Sequence, residues 1–218
     1  MPLLKICGIT RVEDVEMVDR LADYAGFIVA RGKVSPRVLE PGKAVDLAST
    51  LSKARPVLVA ANMGVEEAID LYSRLEVFKV LQYHAPLPVD LAVEAAEELA
   101  ALGGKLAPVV TVWGGTFHPR HPRDYVVVDY EYLLVDAVKG STTVYAAGLK
   151  LSPIVFLDAV ESAKRVGIAG GVTPFNAHIV VSLGPHLVDV SSGVEERPGV
   201  KDHVLVEKLA RVVKGEVG

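Results

Sequence analysis

The sequence predicts a single (β/α)8 barrel of the TIM type spanning residues 1–218, and three observations lead there. Short runs rich in branched aliphatic residues recur eight times. Amphipathic helical patterns fall between most of them. Reactive or ligand-binding residue types gather where those runs end. Alternating strand and helix implies a parallel sheet with right-handed crossovers. Eight such units close into a barrel, whereas five or six would leave an open, doubly wound sheet. The length of 218 residues fits one barrel.

Strands are expected at Leu3–Ile6, Tyr24–Ala30, Pro56–Ala60, Phe78–Gln82, Pro108–Trp113, Tyr132–Val135, Val166–Ala169 and Leu187–Val190. Half the residues are hydrophobic and only 6% are aromatic, so Val, Leu, Ile and Ala must build the core. Branched aliphatics of this kind suit strands buried on both faces. Helices are expected at Val12–Leu21, Pro41–Leu51, Glu66–Arg74, Asp90–Leu102, Pro153–Lys164, Pro174–Leu183 and Val204–Lys214. Thr10 is placed to cap the first of these, with Glu13 as its capping-box partner. The stretch Gly114–Glu131 holds Pro119 and Pro122, so its helix should be short or absent. No linker and no shift in composition marks a domain boundary.

Composition removes several function classes. The formal net charge is −4 and the pI about 5.9, with no long run of Lys or Arg, so a nucleic-acid partner is not expected. The one cysteine, Cys7, can form no intramolecular disulfide, in keeping with a reducing compartment. The opening residues have no charged leader followed by a long apolar stretch, and the apolar runs are too short to span a bilayer. A cytoplasmic protein without a membrane partner is the expectation. His118 and His121 lie close together, but no cysteine or acidic cluster accompanies them, so no metal site is expected. Only three side-chain amides occur, Asn62, Gln82 and Asn176, a scarcity that suits a heat-stable protein.

A barrel of this kind carries its site at the C-terminal ends of the strands. Cys7 sits where the first strand gives way to a turn containing Gly8. It is either a small buried hydrophobe or a base or nucleophile, the latter if its pKa falls toward neutrality. Lys5 shares its strand parity and could help, or could simply lie lower in the barrel. Asp136 ends the sixth strand, as a loop-capping residue or as a carboxylic acid whose pKa burial would have to raise. Gly170-Gly171 before Thr173-Pro174, and Ser191-Ser192-Gly193 after the eighth strand, could present backbone N–H groups to an anion. Phosphate sites in barrels are often built from the loops after strands seven and eight. Arg37 could grip a carboxylate in a two-pronged contact or be a solvated loop cation. His84, at the end of the fourth strand, is the least specific of these signals.

Several segments then point to one family. Lys5-Ile6-Cys7-Gly8-Ile9-Thr10 resembles the opening signature of phosphoribosylanthranilate isomerases. Similar segments follow in order: Gly26-Phe27-Ile28 with Ser35-Pro36-Arg37, Leu81-Gln82-Tyr83-His84, Leu133-Leu134-Val135-Asp136, and Ala169-Gly170-Gly171-Val172-Thr173-Pro174. The last is Val188 to Glu195, running on into Pro198-Gly199-Val200-Lys201-Asp202, so nearly the whole chain is covered.

The resemblance implies an Amadori rearrangement of N-(5′-phosphoribosyl)anthranilate in tryptophan biosynthesis, with no metal or cofactor. Its product is 1-(o-carboxyphenylamino)-1-deoxyribulose 5-phosphate. It makes Asp136 the general acid and Cys7 the general base. It puts the phosphate on Gly170-Gly171 and Ser191-Ser192-Gly193, the anthranilate end on Arg37 and the sugar on Asp189. Gln82 and His84 then line the floor. The implied partner is a small phosphorylated molecule, and the implied assembly a monomer or homodimer.

Two places depart from the family pattern. Most glycines and the tryptophan of the usual loop after the acidic residue are missing from Lys139–Gly148, and Ala85 replaces a common Gly. Other sugar-phosphate barrels, such as indole-glycerol-phosphate synthases or pentose-phosphate epimerases, would want a catalytic Lys or a His and Asp metal set at the strand ends. Neither pattern is clear here, and Cys7 would have no role. A catalytically silent barrel binding a phosphorylated ligand or a partner protein has only the altered loop in its favour.

Overall fold

The structure is a computed structural model that describes residues 1–32, 35–137, 144–145 and 148–215. Its strands are β1 (Leu3–Cys7), β2 (Tyr24–Ala30), β3 (Arg55–Ala61), β4 (Val80–Pro86), β5 (Lys105–Trp113), β6 (Thr116–His118), β7 (Leu133–Ala137), β8 (Val166–Ile168) and β9 (Leu187–Val190), followed by a small hairpin of β10 (Glu195–Arg197) and β11 (Val200–Lys201). Parallel pairing runs β4-β3-β2-β1-β9-β8-β7-β5, and a β4–β5 pairing closes the ring, so eight strands form the expected barrel. β6 is an antiparallel flap on β5.

The helices are α1 (Val12–Leu21), α2 (Pro41–Ala48), α3 (Val65–Ser73), α4 (Val89–Ala101), α5 (Pro153–Ser162), α6 (Ala177–Ser182) and α7 (His203–Val213). Their sequences explain them. In α4, Ala92, Ala95, Ala96 and Leu99 recur at three- and four-residue spacing, and all four are buried. α7 buries Val206, Leu209, Ala210 and Val213 in the same way, and the Asp202 side chain caps it by accepting from the Leu205 N–H at 3.1 Å. Pro41 and Pro153 open α2 and α5, where a missing N–H costs nothing.

Several expectations are corrected. Thr10 does not cap α1: Arg11 holds the N-cap position, and the Thr10 hydroxyl donates instead to the Gly199 carbonyl. Glu13 pairs with Arg11. β4 starts later than expected and runs on through His84, and β5 starts earlier, at Lys105, so Pro108 lies inside the strand. Gly114–Glu131, by contrast, meets its expectation: it contains β6 and a 3-10 turn at Pro122–Val127, and the α-helix is absent. α6 begins at Ala177 rather than Pro174. The altered segment Lys139–Gly148 lies largely outside the described residues, which omit 138–143 and 146–147.

Strand parity sorts the core into two layers. One face of each strand meets the helices and forms a large apolar shell that includes Leu4, Ile6, Phe27, Leu58, Leu81, Phe156 and Leu209. The other face points into the barrel, where Tyr24, Val57, Val59, Val80, Ala107, Val109, Tyr132, Leu134 and Leu187 pack together beneath Cys7 and Ala169. Inward parity also collects buried polar groups: Lys5 beside Asp189, and Tyr132, whose hydroxyl donates to Gln82 Oε1 at 2.9 Å.

Phe27 is fully buried in the outer shell and meets Phe78 edge to face, with ring centroids 6.0 Å apart. Phe27→Ala should cost about 3–5 kcal/mol of stability. Urea unfolding should show a lower midpoint with an unchanged m-value. Val126→Ala, at an exposed site, should change stability by no more than about 0.5 kcal/mol.

Candidate active site

Extending the inward parity to the strand ends brings the chemistry together. Lys5 leads to Cys7, Gln82 to His84, Tyr132 and Leu134 to Asp136, and Leu187 to Asp189 and Ser191. These ends open into one cavity of about 650 Å³ at the C-terminal mouth. Cys7, Arg37, Gln82, His84, Asp136, Gly170, Gly171, Asp189, Ser191, Ser192 and Gly193 all line it, as do Ile28, Val59 and Ala61. The residues given catalytic, substrate-binding or phosphate-binding roles from the sequence therefore reach the same cavity, whereas Lys5 does not line it.

Cys7 is the last residue of β1 and only 7% exposed. Burial pushes its thiol above the ordinary value, Asp189 adds to that, and the Lys5 and Lys201 ammonium groups oppose it. On balance burial outweighs the two ammonium groups. Asp136 is half-buried on β7 and lies opposite Thr111 in the β5 ladder. Its Oδ1 accepts from the Ala137 N–H at 2.7 Å.

The two anion loops are shaped by glycine and one amide. Gly170 and Gly171 both have positive φ, at 100° and 79°. A Cβ on Gly193 would come within 1.8 Å of the Val172 carbonyl oxygen, so only glycine lets the loops after β8 and β9 approach so closely. Asn176 fixes the first loop: its Oδ1 accepts from the Thr173 N–H at 2.8 Å, and its Nδ2 donates to the Gly171 carbonyl at 2.9 Å. The Gly pair is thus held by a side chain rather than seated directly on the start of α6. Among the described residues, Asp189 Oδ1 and Ser191 Oγ are buried with no hydrogen-bond partner, which leaves both available to a ligand's polar atoms.

Arg37 is less open than expected. Its guanidinium already makes a two-pronged contact inside the protein, with Nε 2.9 Å from Glu195 Oε1 and Nη2 2.5 Å from Glu195 Oε2. Glu195 also accepts from Lys201 Nζ at 2.9 Å. The same ammonium donates to the carbonyls of Cys7 at 2.6 Å and Ser191 at 3.2 Å. Burial works to raise the Glu195 pKa, but the hydrogen bonds from Arg37 and Lys201 prevail and hold it below the ordinary value. Lys201, Glu195, Gly26, Tyr132 and Asn176 carried no assigned role at the level of sequence. Strand parity signals Gly26 and Tyr132, but nothing local marks Lys201.

Glu195→Gln should weaken the fold by about 3 kcal/mol near neutral pH, because it strips a buried ammonium of its counter-charge. A carboxylate with a lowered folded pKa stabilises above its ordinary pKa and ceases to do so as pH falls through the folded value. The stability gap between wild type and Glu195→Gln should therefore narrow once the pH drops below about 4.5, as measured by urea unfolding across an acid series.

Comparison with known proteins agrees with this geometry. The family model for N-(5′-phosphoribosyl)anthranilate (PRA) isomerase matches residues 4–212. The N-(5′-phosphoribosyl)anthranilate isomerase of Pyrobaculum islandicum is 43% identical over 211 residues, covering 97% of each chain. The solved phosphoribosyl anthranilate isomerase from Thermus thermophilus superposes with a TM-score of 0.80 at 28% identity, over 100% of both chains. A further structure of this isomerase, in complex with reduced 1-(o-carboxyphenylamino)-1-deoxyribulose 5-phosphate, gives a TM-score of 0.74 at 26% identity, covering 99% of this chain and 100% of that one. The ordered strand-end residues, the closed barrel and these relatives lead to one conclusion: the chain belongs to the N-(5′-phosphoribosyl)anthranilate isomerase family.

Proposed function

We propose that the chain carries out, as one domain, the family's aldose-to-ketose rearrangement of N-(5′-phosphoribosyl)anthranilate, with Asp136 as acid and Cys7 as base. Asp136 gives a proton to the ribose ring oxygen, and the ring opens as the anthranilate nitrogen forms a Schiff base with C1′. Cys7 takes the proton from C2′, which the neighbouring iminium has made labile. The resulting enolamine tautomerises to the ketone of the product. The carboxylic acid faces a leaving alkoxide and the thiolate faces a carbon acid, a division that suits each group.

The observation that carries this reading is the meeting of Cys7 and Asp136 in one cavity whose wall also holds the two anion loops. Gly170, Gly171, Ser191, Ser192 and Gly193 take the phosphate, with Ser191 Oγ waiting for a donor or acceptor. Asp189 takes a sugar hydroxyl on its unpartnered Oδ1. Arg37 offers the substrate carboxylate the N–H groups that Glu195 does not occupy, and Gln82 and His84 line the floor. The reaction as written draws on protein groups alone. The protein acts in the cytoplasm on a small phosphorylated molecule, as a monomer or homodimer. No described helix is long and apolar enough to cross a membrane.

Consumption of phosphoribosylanthranilate, followed by its fluorescence, tests this directly. Cys7→Ser and Asp136→Asn should each lower kcat by at least about a hundredfold with unchanged circular dichroism. Near-wild-type turnover in either variant removes that residue from the mechanism. No turnover by the wild type, with tight binding of a product analogue, favours a silent barrel.

A further inference from the structure

We propose that Lys5 is a positioning residue for Cys7: its ammonium, fixed by Asp189 inside the barrel, is the counter-charge that lets the thiol ionise. The proposal rests on the role of base given to Cys7 above and extends it to the group that sets its basicity.

Three neighbouring strands create the arrangement. Lys5 and Cys7 share the inward face of β1, and β9 places Asp189 opposite Lys5 in the ladder. Lys5 Nζ lies 2.9 Å from Asp189 Oδ2, and the lysine side chain is wholly buried. On the other side, β2 places Gly26 opposite Cys7. A Cβ at Gly26 would stand 2.9 Å from Cys7 Sγ and 3.2 Å from Lys5 Nζ. The thiol and the ammonium therefore converge on the space that the missing methyl leaves free.

Stability is a poor reason for this pair. Two buried charges lose their hydration, and apolar residues of similar volume often serve a core equally well. The apolar residues around it in the barrel interior are Val, Ala, Leu and Tyr. Nor does the carboxylate use its full bonding capacity, since Asp189 Oδ1 has no hydrogen-bond partner among the described residues. A pair kept only for packing would have little reason to leave that atom open in the mouth cavity.

The other charged groups around Cys7 are already committed. Lys201 spends three donors on Cys7 O, Ser191 O and Glu195, the full complement of an ammonium. Arg37 is paired with the same glutamate. Tyr132, just before β7, has its proton held by burial, and its hydroxyl donates to Gln82. Asp136 and His84 line the same cavity from β7 and β4. Among the described residues Lys5 makes one ion pair, to Asp189, and an ammonium has two more donors to turn toward a thiolate. Asp189 keeps it charged: burial alone would discharge the lysine, yet the carboxylate beside it lifts its pKa above the ordinary value. Against the burial that disfavours a thiolate, Lys5 is the largest opposing influence on Cys7.

Because Cys7 is the only cysteine, thiolate absorbance in the ultraviolet reports it alone once a Cys7→Ser blank is subtracted. The thiol titration is compared in wild type, Lys5→Met and the double variant Lys5→Met with Asp189→Asn. Lys5→Met should move the midpoint up by at least about one pH unit. The double variant also loses the repulsion from Asp189, so it should move up by less. It keeps the test alive if a lone buried Asp189 prevents Lys5→Met from folding. In Lys5→Met the alkaline shift should reappear in the pH profile of kcat/KM for phosphoribosylanthranilate, with KM little changed. A midpoint unmoved in every folded variant overturns the proposal and leaves Lys5 a packing residue. The titration needs no substrate, so a shifted midpoint without wild-type turnover would uphold the ion pair's role and reject only the reaction.

Discussion

The ammonium of Lys201 is where the loops of the barrel mouth are tied together. It binds the carbonyl that ends β1, the carbonyl that follows β9, and the carboxylate of Glu195, which grips Arg37 from the loop after β2. One side chain thereby sets the height of Cys7 relative to the Ser191 loop. Its burial pulls its pKa down, and Glu195 works against that. The hairpin of β10 and β11 exists around this contact, since its two strands carry the glutamate and the lysine.

Beneath the mouth, the barrel interior divides its labour by depth. Near the N-terminal end, the Tyr24 hydroxyl donates to Glu131, which also pairs with Arg55. Higher up, Tyr132 holds Gln82 in place, and Lys5 meets Asp189. Above these come Cys7, His84 and Asp136. The polar groups form a column up the axis, while the apolar shell between strands and helices supplies most of the burial. Chemistry can therefore vary inside the barrel with little effect on the outer layer, because alternate residues of each strand serve the two layers separately.

Much of this was legible in the sequence because both signals are local. Branched aliphatic runs located all eight barrel strands, and the ends of those runs with the loops that follow them supplied the members of the predicted site. Errors fell where a tertiary partner overrides a local preference. Thr10 has the side chain of a cap, but Gly199, 189 residues away, takes its hydroxyl. Pro108 reads as a strand start, yet the ladder with β4 and β7 carries β5 across it despite the missing donor. Arg37 looked like an open cation because nothing near it in sequence announces Glu195. Lys201 stood in a quoted motif without a role, since its three partners lie up to 194 residues away. Gly26 lacks a side chain where the thiol and ammonium stand close by, a contact made only once β1 and β2 pair.

The three side-chain amides have a consequence for chemical ageing. Asn62 and Gln82 line the cavity, and Asn176 braces the Gly171 loop, so every amide that can hydrolyse stands at or under the mouth. Gln82 and Asn176 are shielded by burial, whereas Asn62 is exposed. Deamidation turns a neutral group into a carboxylate, and here it could add negative charge only beside the place meant for an anionic substrate. Deamidation at the exposed Asn62 would place its new charge in the cavity wall rather than in the apolar core.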